Sequence, residues 1–203
     1  MFRGGPVLRV LAGLLAALVL SACTADHKWA SDAEVARARY VDPNPPSITL
    51  FTSVNTRTKA GAHAGLMING SERVLYDPAG SFAHSAVPER EDMLYGMTPT
   101  MLGFYANFQG TAPFQLIEQT IYVTPEVAEQ VKQAAIAHGS ANKAACTIAI
   151  GSILSKVPGF ESLPNTYFPK TMFRAFAKLP GVHTQIVTSL DGDIRRTLPG
   201  ATQ

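Results

Sequence analysis

Ala62-His63-Ala64-Gly65-Leu66-Met67-Ile68-Asn69-Gly70, answered by Arg73-Val74-Leu75-Tyr76-Asp77, reads as two strands joined by a tight turn, and the rest of the architecture is placed around it. Small and apolar residues alternate weakly up to Asn69-Gly70, a strong hairpin signal. The second run is β-branched and aromatic and returns from that turn. Asp77-Pro78-Ala79-Gly80 then stops it, because proline donates nothing to a ladder and glycine accepts open turns. Turn length sets the register. A two-residue turn at Asn69-Gly70 places His63 opposite Tyr76, and a three-residue turn over 69–71 places it opposite Asp77.

Outward from this hairpin, residues 48–53 read as a strand and 56–61 as a polar loop. Residues 81–111 read as an irregular insertion with one short helix at 98–107. A strand follows at 114–123. Thr124-Pro125-Glu126 opens a helix with a capping hydroxyl, a proline in the first turn and an acid at the positive end. That helix runs to His138 and stops at Gly139. Residues 144–157 form a second helix with Ile150, Ile153, Leu154 and Val157 on one face. A third, short helix covers 168–179, and a polar tail closes the chain. The pattern predicts an α+β domain over 47–203: a small antiparallel sheet containing the His63 strand, packed against the Cys146 helix.

The front of the chain is of another kind. Arg3 and Arg9 precede an apolar run over 10–20, too short for a bilayer of about 30 Å. Leu20-Ser21-Ala22-Cys23 follows. It resembles the lipobox of bacterial lipoproteins. The resemblance implies cleavage before Cys23, diacylglycerol on its sulfur and acylation of the new amino terminus, and several chains anchor firmly. The expected organisation is a signal peptide at 1–22, a membrane tether at 23–46 and one domain at 47–203. The location implied is the cell envelope, facing the periplasm, and Thr24 after the cysteine points to the outer membrane. A net charge of +2 without a basic run argues against nucleic acid.

Of 2 cysteines, lipid consumes Cys23, which leaves Cys146 alone in an oxidising compartment. Asn142-Lys143-Ala144-Ala145-Cys146-Thr147 puts that thiol in the first turn of a helix, where the dipole favours the thiolate. A histidine beside it takes and returns its proton, and a polar side chain on the next strand orients the imidazole.

His63-Ala64-Gly65-Leu66 first and Cys146-Thr147-Ile148-Ala149 last resemble the circularly permuted papain-like hydrolases. Their relatives are the NlpC-type cell-wall peptidases and the lecithin:retinol-acyltransferase-like enzymes. The order of elements matches over the whole domain, although Ala145 stands where asparagine is frequent. The resemblance implies a permuted papain-like fold and a thiol hydrolase or acyltransferase. Cys146 would be its nucleophile, His63 its acid–base, and Asp77 its orienting residue, with Tyr76 as the alternative. It implies no cofactor and no metal. The partners it implies are a membrane, through Cys23, and an unidentified carbonyl substrate, cell-wall peptide being one class. Two other readings stand beside it. One is a non-catalytic envelope lipoprotein that binds or assembles on the same fold. The other is a metal site joining His63, Asp77 and His84.

Overall fold

The computed structural model describes residues 27–190 and 193–197, with side chains through Val187. The expected signal peptide at 1–22 and the expected lipid-attachment residue Cys23 lie outside the described residues. Among the described residues no helix is long and apolar enough to cross a membrane.

The fold is α+β. Eight antiparallel strands form one sheet, in the order β4-β5-β3-β2-β1-β6-β7-β8. They are β1 (Ser47–Asn55), β2 (Gly61–Asn69), β3 (Arg73–Tyr76), β4 (Glu89–Arg90), β5 (Met93–Leu94), β6 (Phe114–Tyr122), β7 (His183–Leu190) and β8 (Asp193–Thr197). The described helices are α1 (Asp32–Ala38), α2 (Pro99–Gln109), α3 (Pro125–His138), α4 (Cys146–Leu154) and α5 (Pro169–Phe176).

Side chains alternate across a strand, so the sheet has two apolar faces. Ile48, Leu50, Leu66, Ile68 and Val74 point to one face and meet Val131, Ile150, Ile153, Met172 and Phe176 from α3, α4 and α5. Phe51, Met67, Leu75 and Leu116 point to the other and meet Leu102, Tyr105 and Ala106 of α2. Helices cover both faces at the centre, so β1 is buried along almost its whole length. Each fully buried aliphatic side chain contributes about 1.5–3 kcal/mol.

Three expectations are corrected. Residues 183–197 are not a polar tail but β7 and β8, and the sheet is accordingly larger than expected. Thr184 and Ile186 pair with β6, whose outer edge would otherwise expose a long row of unpaired backbone groups. The helix expected from 144 begins at Cys146, because Ala144 takes the left-handed conformation at φ 64° and Ala145 serves as the cap without a side-chain bond. The hairpin adopts neither expected register. Asn69 pairs with Arg73 around a three-residue loop, which sets Leu66 against Tyr76.

The stretch expected as tether, 23–46, lies along the domain from His27 onward. Ala30 N–H donates to the Glu89 carbonyl at 3.0 Å, and Glu91 N–H to the Lys28 carbonyl at 3.0 Å. Ser31 and Glu34 form a capping box at the start of α1. Asp42 pairs with the Arg73 guanidinium, both side chains being nearly fully buried.

Candidate active site

β3 is shorter than β2. It pairs with Leu66–Asn69 and ends at Tyr76, so Gly61 to Gly65 have no strand beyond them on that side. The start of α4 reaches this open edge. The body of α4 packs on the face carrying Leu66 and Ile68, while its first residue, Cys146, meets the rim. The backbone N–H groups of Ala64 and Thr147 lie near the Cys146 sulfur and favour its thiolate.

His63 has the opposite parity. It pairs with Ser53, whose hydroxyl donates to the Gln109 carbonyl of α2 at 2.9 Å. His63 therefore projects toward the α2 face. Asp77, one residue past β3, lies on that face too. The His63 Nε2–H donates to Asp77 Oδ1 at 2.7 Å, and the Cys146 thiol is near enough to the ring to raise its pKa. With Nε2 engaged by Asp77, Nδ1 is the ring nitrogen left for the thiol. The structure thus brings Cys146, His63 and Asp77 together across the sheet edge, with His63 hydrogen-bonded to Asp77 and electrostatically coupled to Cys146. The register explains the His63–Asp77 contact. Leu66 opposite Tyr76 puts Gly65 opposite Asp77, and His63 reaches the carboxylate diagonally over the glycine. Tyr76, the alternative third residue, faces the other side. Its hydroxyl donates to the Gly139 carbonyl at 2.8 Å and meets His138 Nδ1 at 2.9 Å.

Burial by itself would lower the His63 pKa, but the bond to Asp77, the nearby Cys146 thiol and the charges of both outweigh it and push it up to about 10. Burial would raise the Cys146 pKa, but the nearby His63 ring and its charge, and the N–H groups of Ala64 and Thr147, bring it below the ordinary thiol value. These opposed shifts favour an imidazolium–thiolate pair, the nucleophilic form of the sulfur.

Two residues outside the expected set complete the arrangement. Tyr105 of α2 donates its hydroxyl to Asp77 Oδ1 at 2.9 Å. Asp92, held at φ 64°, ties together the loops that carry Asp77 and Cys146. Its Oδ2 accepts from Ala79 N–H at 2.9 Å and Ala141 N–H at 2.8 Å, and its carbonyl accepts from Asp77 N–H at 2.9 Å. Neither carried a sequence signal beyond lying in the insertion at 81–111. Asp92→Ala leaves one buried and one half-buried donor without their acceptor, at a cost of about 2–3 kcal/mol. Chemical denaturation checks the stability loss, and Cys146 alkylation at pH 7 is expected to slow in the same variant.

Cys146 is 6% exposed, and the His63 side chain 18%. Beside them, the Thr147 hydroxyl donates to the Thr166 carbonyl at 2.6 Å, and Pro169 and Lys170 pack against Gly61. Between these two anchors Tyr167 and Phe168 stand exposed. A recess of about 870 Å³ lies elsewhere, lined by Trp29, Arg37, His84 and Pro88, and includes none of the three residues. His84 stacks on Phe104 at 5.1 Å between ring centroids. Among the described residues no group of three or more His, Cys, Asp or Glu side chains is placed to hold a metal ion.

Comparison with protein-family models, with curated proteins and with solved structures finds no match for this chain.

Proposed function

We propose that this chain is a lipid-anchored envelope protein whose domain is a thiol hydrolase or acyltransferase of the circularly permuted papain-like kind. The observation that carries the reading is the line of Cys146, His63 and Asp77 at one sheet edge, with His63 hydrogen-bonded to Asp77, the histidine raised and the cysteine lowered. The Cys146 thiolate attacks an ester or amide carbonyl and forms a C–S bond. The Cys146 N–H, in the first turn of α4 and without an intrahelical acceptor, helps stabilise the oxyanion. The His63 imidazolium gives its proton to the leaving alcohol or amine as the C–O or C–N bond breaks. Water, or an acceptor hydroxyl or amine, then loses a proton to His63 and attacks the thioester, which releases the acyl product and restores the thiolate. Asp77 keeps the imidazole turned toward the sulfur throughout. The lipid on Cys23 and the outer membrane belong to the same proposal and rest on the sequence at 20–24. Cell-wall peptide is the substrate class that suits that location.

A p-nitrophenyl ester tests the chemistry without the natural substrate. The expected result is a burst of about one nitrophenolate per protein. Mass spectrometry should then find the acyl group on Cys146, and Cys146→Ala should show neither. Steady hydrolysis with no adduct on Cys146 would sink the proposal. The small exposure of Cys146 favours a second reading, in which the same line is a buried polar link in a binding protein. That reading predicts a sulfur inert to the ester and to alkylating reagents until the chain unfolds.

A further inference from the structure

Tyr105 stands at the centre of the α2 face and is fully buried. Its ring packs on Phe51 at 5.6 Å and Phe82 at 5.4 Å between centroids. A tyrosine there for packing alone needs no hydroxyl, yet this one is aimed at a carboxylate that is itself only 3% exposed. It ends on Asp77 Oδ1, the same oxygen that takes the His63 Nε2–H. Two donors converging on one oxygen fix the carboxylate's rotation about its χ angles. Charge-assisted bonds of this kind are about twice as strong as neutral ones.

The β2 sequence accommodates the contact. A Cβ on Gly65 would run into the Tyr105 hydroxyl and would stand 3.3 Å from Asp77 Oδ1. The glycine between His63 and Leu66 is therefore what lets the phenol cross the strand and reach the carboxylate. Burial and the Asp77 charge hold Tyr105 protonated, so it can only donate to the carboxylate. Asp92 and Glu89 are the other carboxylates whose charge is felt around Asp77, and neither donates to it.

We infer that Tyr105 is a positioning residue of this site: its hydroxyl, admitted by Gly65, fixes the Asp77 carboxylate so that Asp77 holds the His63 ring toward Cys146. This rests on the thiol-hydrolase reading, and it assigns a fourth side chain that acts through Asp77 and touches no substrate.

The test is the pH profile of Cys146 alkylation by iodoacetamide in the full-length protein in mild detergent, with the label located by peptide mass spectrometry. Tyr105→Phe keeps the ring and removes the donor. It is expected to raise the midpoint of the profile by about one pH unit and to slow the reaction at pH 7 about tenfold. Gly65→Ala displaces the hydroxyl without changing the tyrosine and is expected to give the same shift. In the double variant the clash is gone, so the melting temperature should recover above that of Gly65→Ala while the profile stays shifted. A Tyr105→Phe profile superimposed on wild type would overturn the inference. So would a double variant in which stability and profile both return to wild type, since a packing role alone predicts that. Failure of the underlying reading shows separately, in wild type: Cys146 would then react only on unfolding, whichever residue stands at 105.

Discussion

His63→Ala is expected to slow alkylation of Cys146 at pH 7 by about 100-fold. Burial pushes the thiol up, and the nearby His63 ring and its charge are the largest of the effects that bring it back down. Remove the ring and burial is opposed only by the N–H groups of Ala64 and Thr147. The pKa then moves above the ordinary thiol value, and each unit of rise removes tenfold of the thiolate at neutral pH. The wild-type rate should climb as pH passes the lowered Cys146 value. It should hold level until His63 loses its proton near pH 10. In the variant the climb begins only on the alkaline side. Equal rates for the two proteins at pH 7 would refute the pairing.

The same shifts have a sign for stability. His63 is raised in the fold, so its contribution is full below its ordinary value of 6.5 and is lost as pH rises through about 10. Cys146 is lowered, so its contribution is full above its ordinary 9.0 and is lost as pH falls through its folded value. Wild-type thermal stability should therefore fall between pH 9.0 and about 10, because below 9.0 the Cys146 gain offsets the His63 loss and above about 10 His63 adds no further change. A melting temperature that stays level across that window would refute the linkage.

The second large effect lies outside the site. Asp42→Ala is expected to cost about 3–5 kcal/mol. The Arg73 side chain is 7% exposed and that of Asp42 5%, so the carboxylate neutralises a guanidinium taken out of water. Arg73 also donates to the Met97 carbonyl, and its guanidinium lies 4.7 Å over the Tyr40 ring. A soluble form starting at residue 27 keeps Tyr40 and Asp42. One starting at 47 loses both and should melt about 10 °C lower. Equal melting temperatures would show that the stretch over 27–46 adds nothing to the domain.

Much of the architecture was legible along the chain because local rules carry it. Thr124-Pro125-Glu126 begins α3, with Thr124 accepting from Val127 N–H at 3.4 Å, and Gly139 ends it at φ 71°. The return strand at 73–76 matched residue for residue, since alternation and the Asp77-Pro78 stop are local too. Residues 183–190 were missed for the opposite reason. His183-Thr184-Gln185-Ile186 has little apolar content, and only the free edge of β6 makes it a strand. Asp42 looked like part of a polar linker because its partner lies 31 residues away.

For the site, sequence alone determined the residue types and their chemistry. It supplied a lone thiol at a helix start, a histidine on a strand with glycine two positions on, and an aspartate where the return strand must stop. It left open whether Asp77 or Tyr76 shares the sheet face of His63, because a two-residue and a three-residue turn give opposite answers. Tertiary structure decided the rest. That Asp77 and not Tyr76 meets the ring follows from pairing Leu66 with Tyr76, a register set by where the three-residue loop falls. That a helix on one face delivers its cysteine to a histidine on the other follows from β3 ending early and leaving the edge of β2 open. The Tyr105 bond follows from α2 covering that face. Each is a contact between segments far apart in the chain, fixed by which surfaces must be buried together, and no local pattern records such a choice.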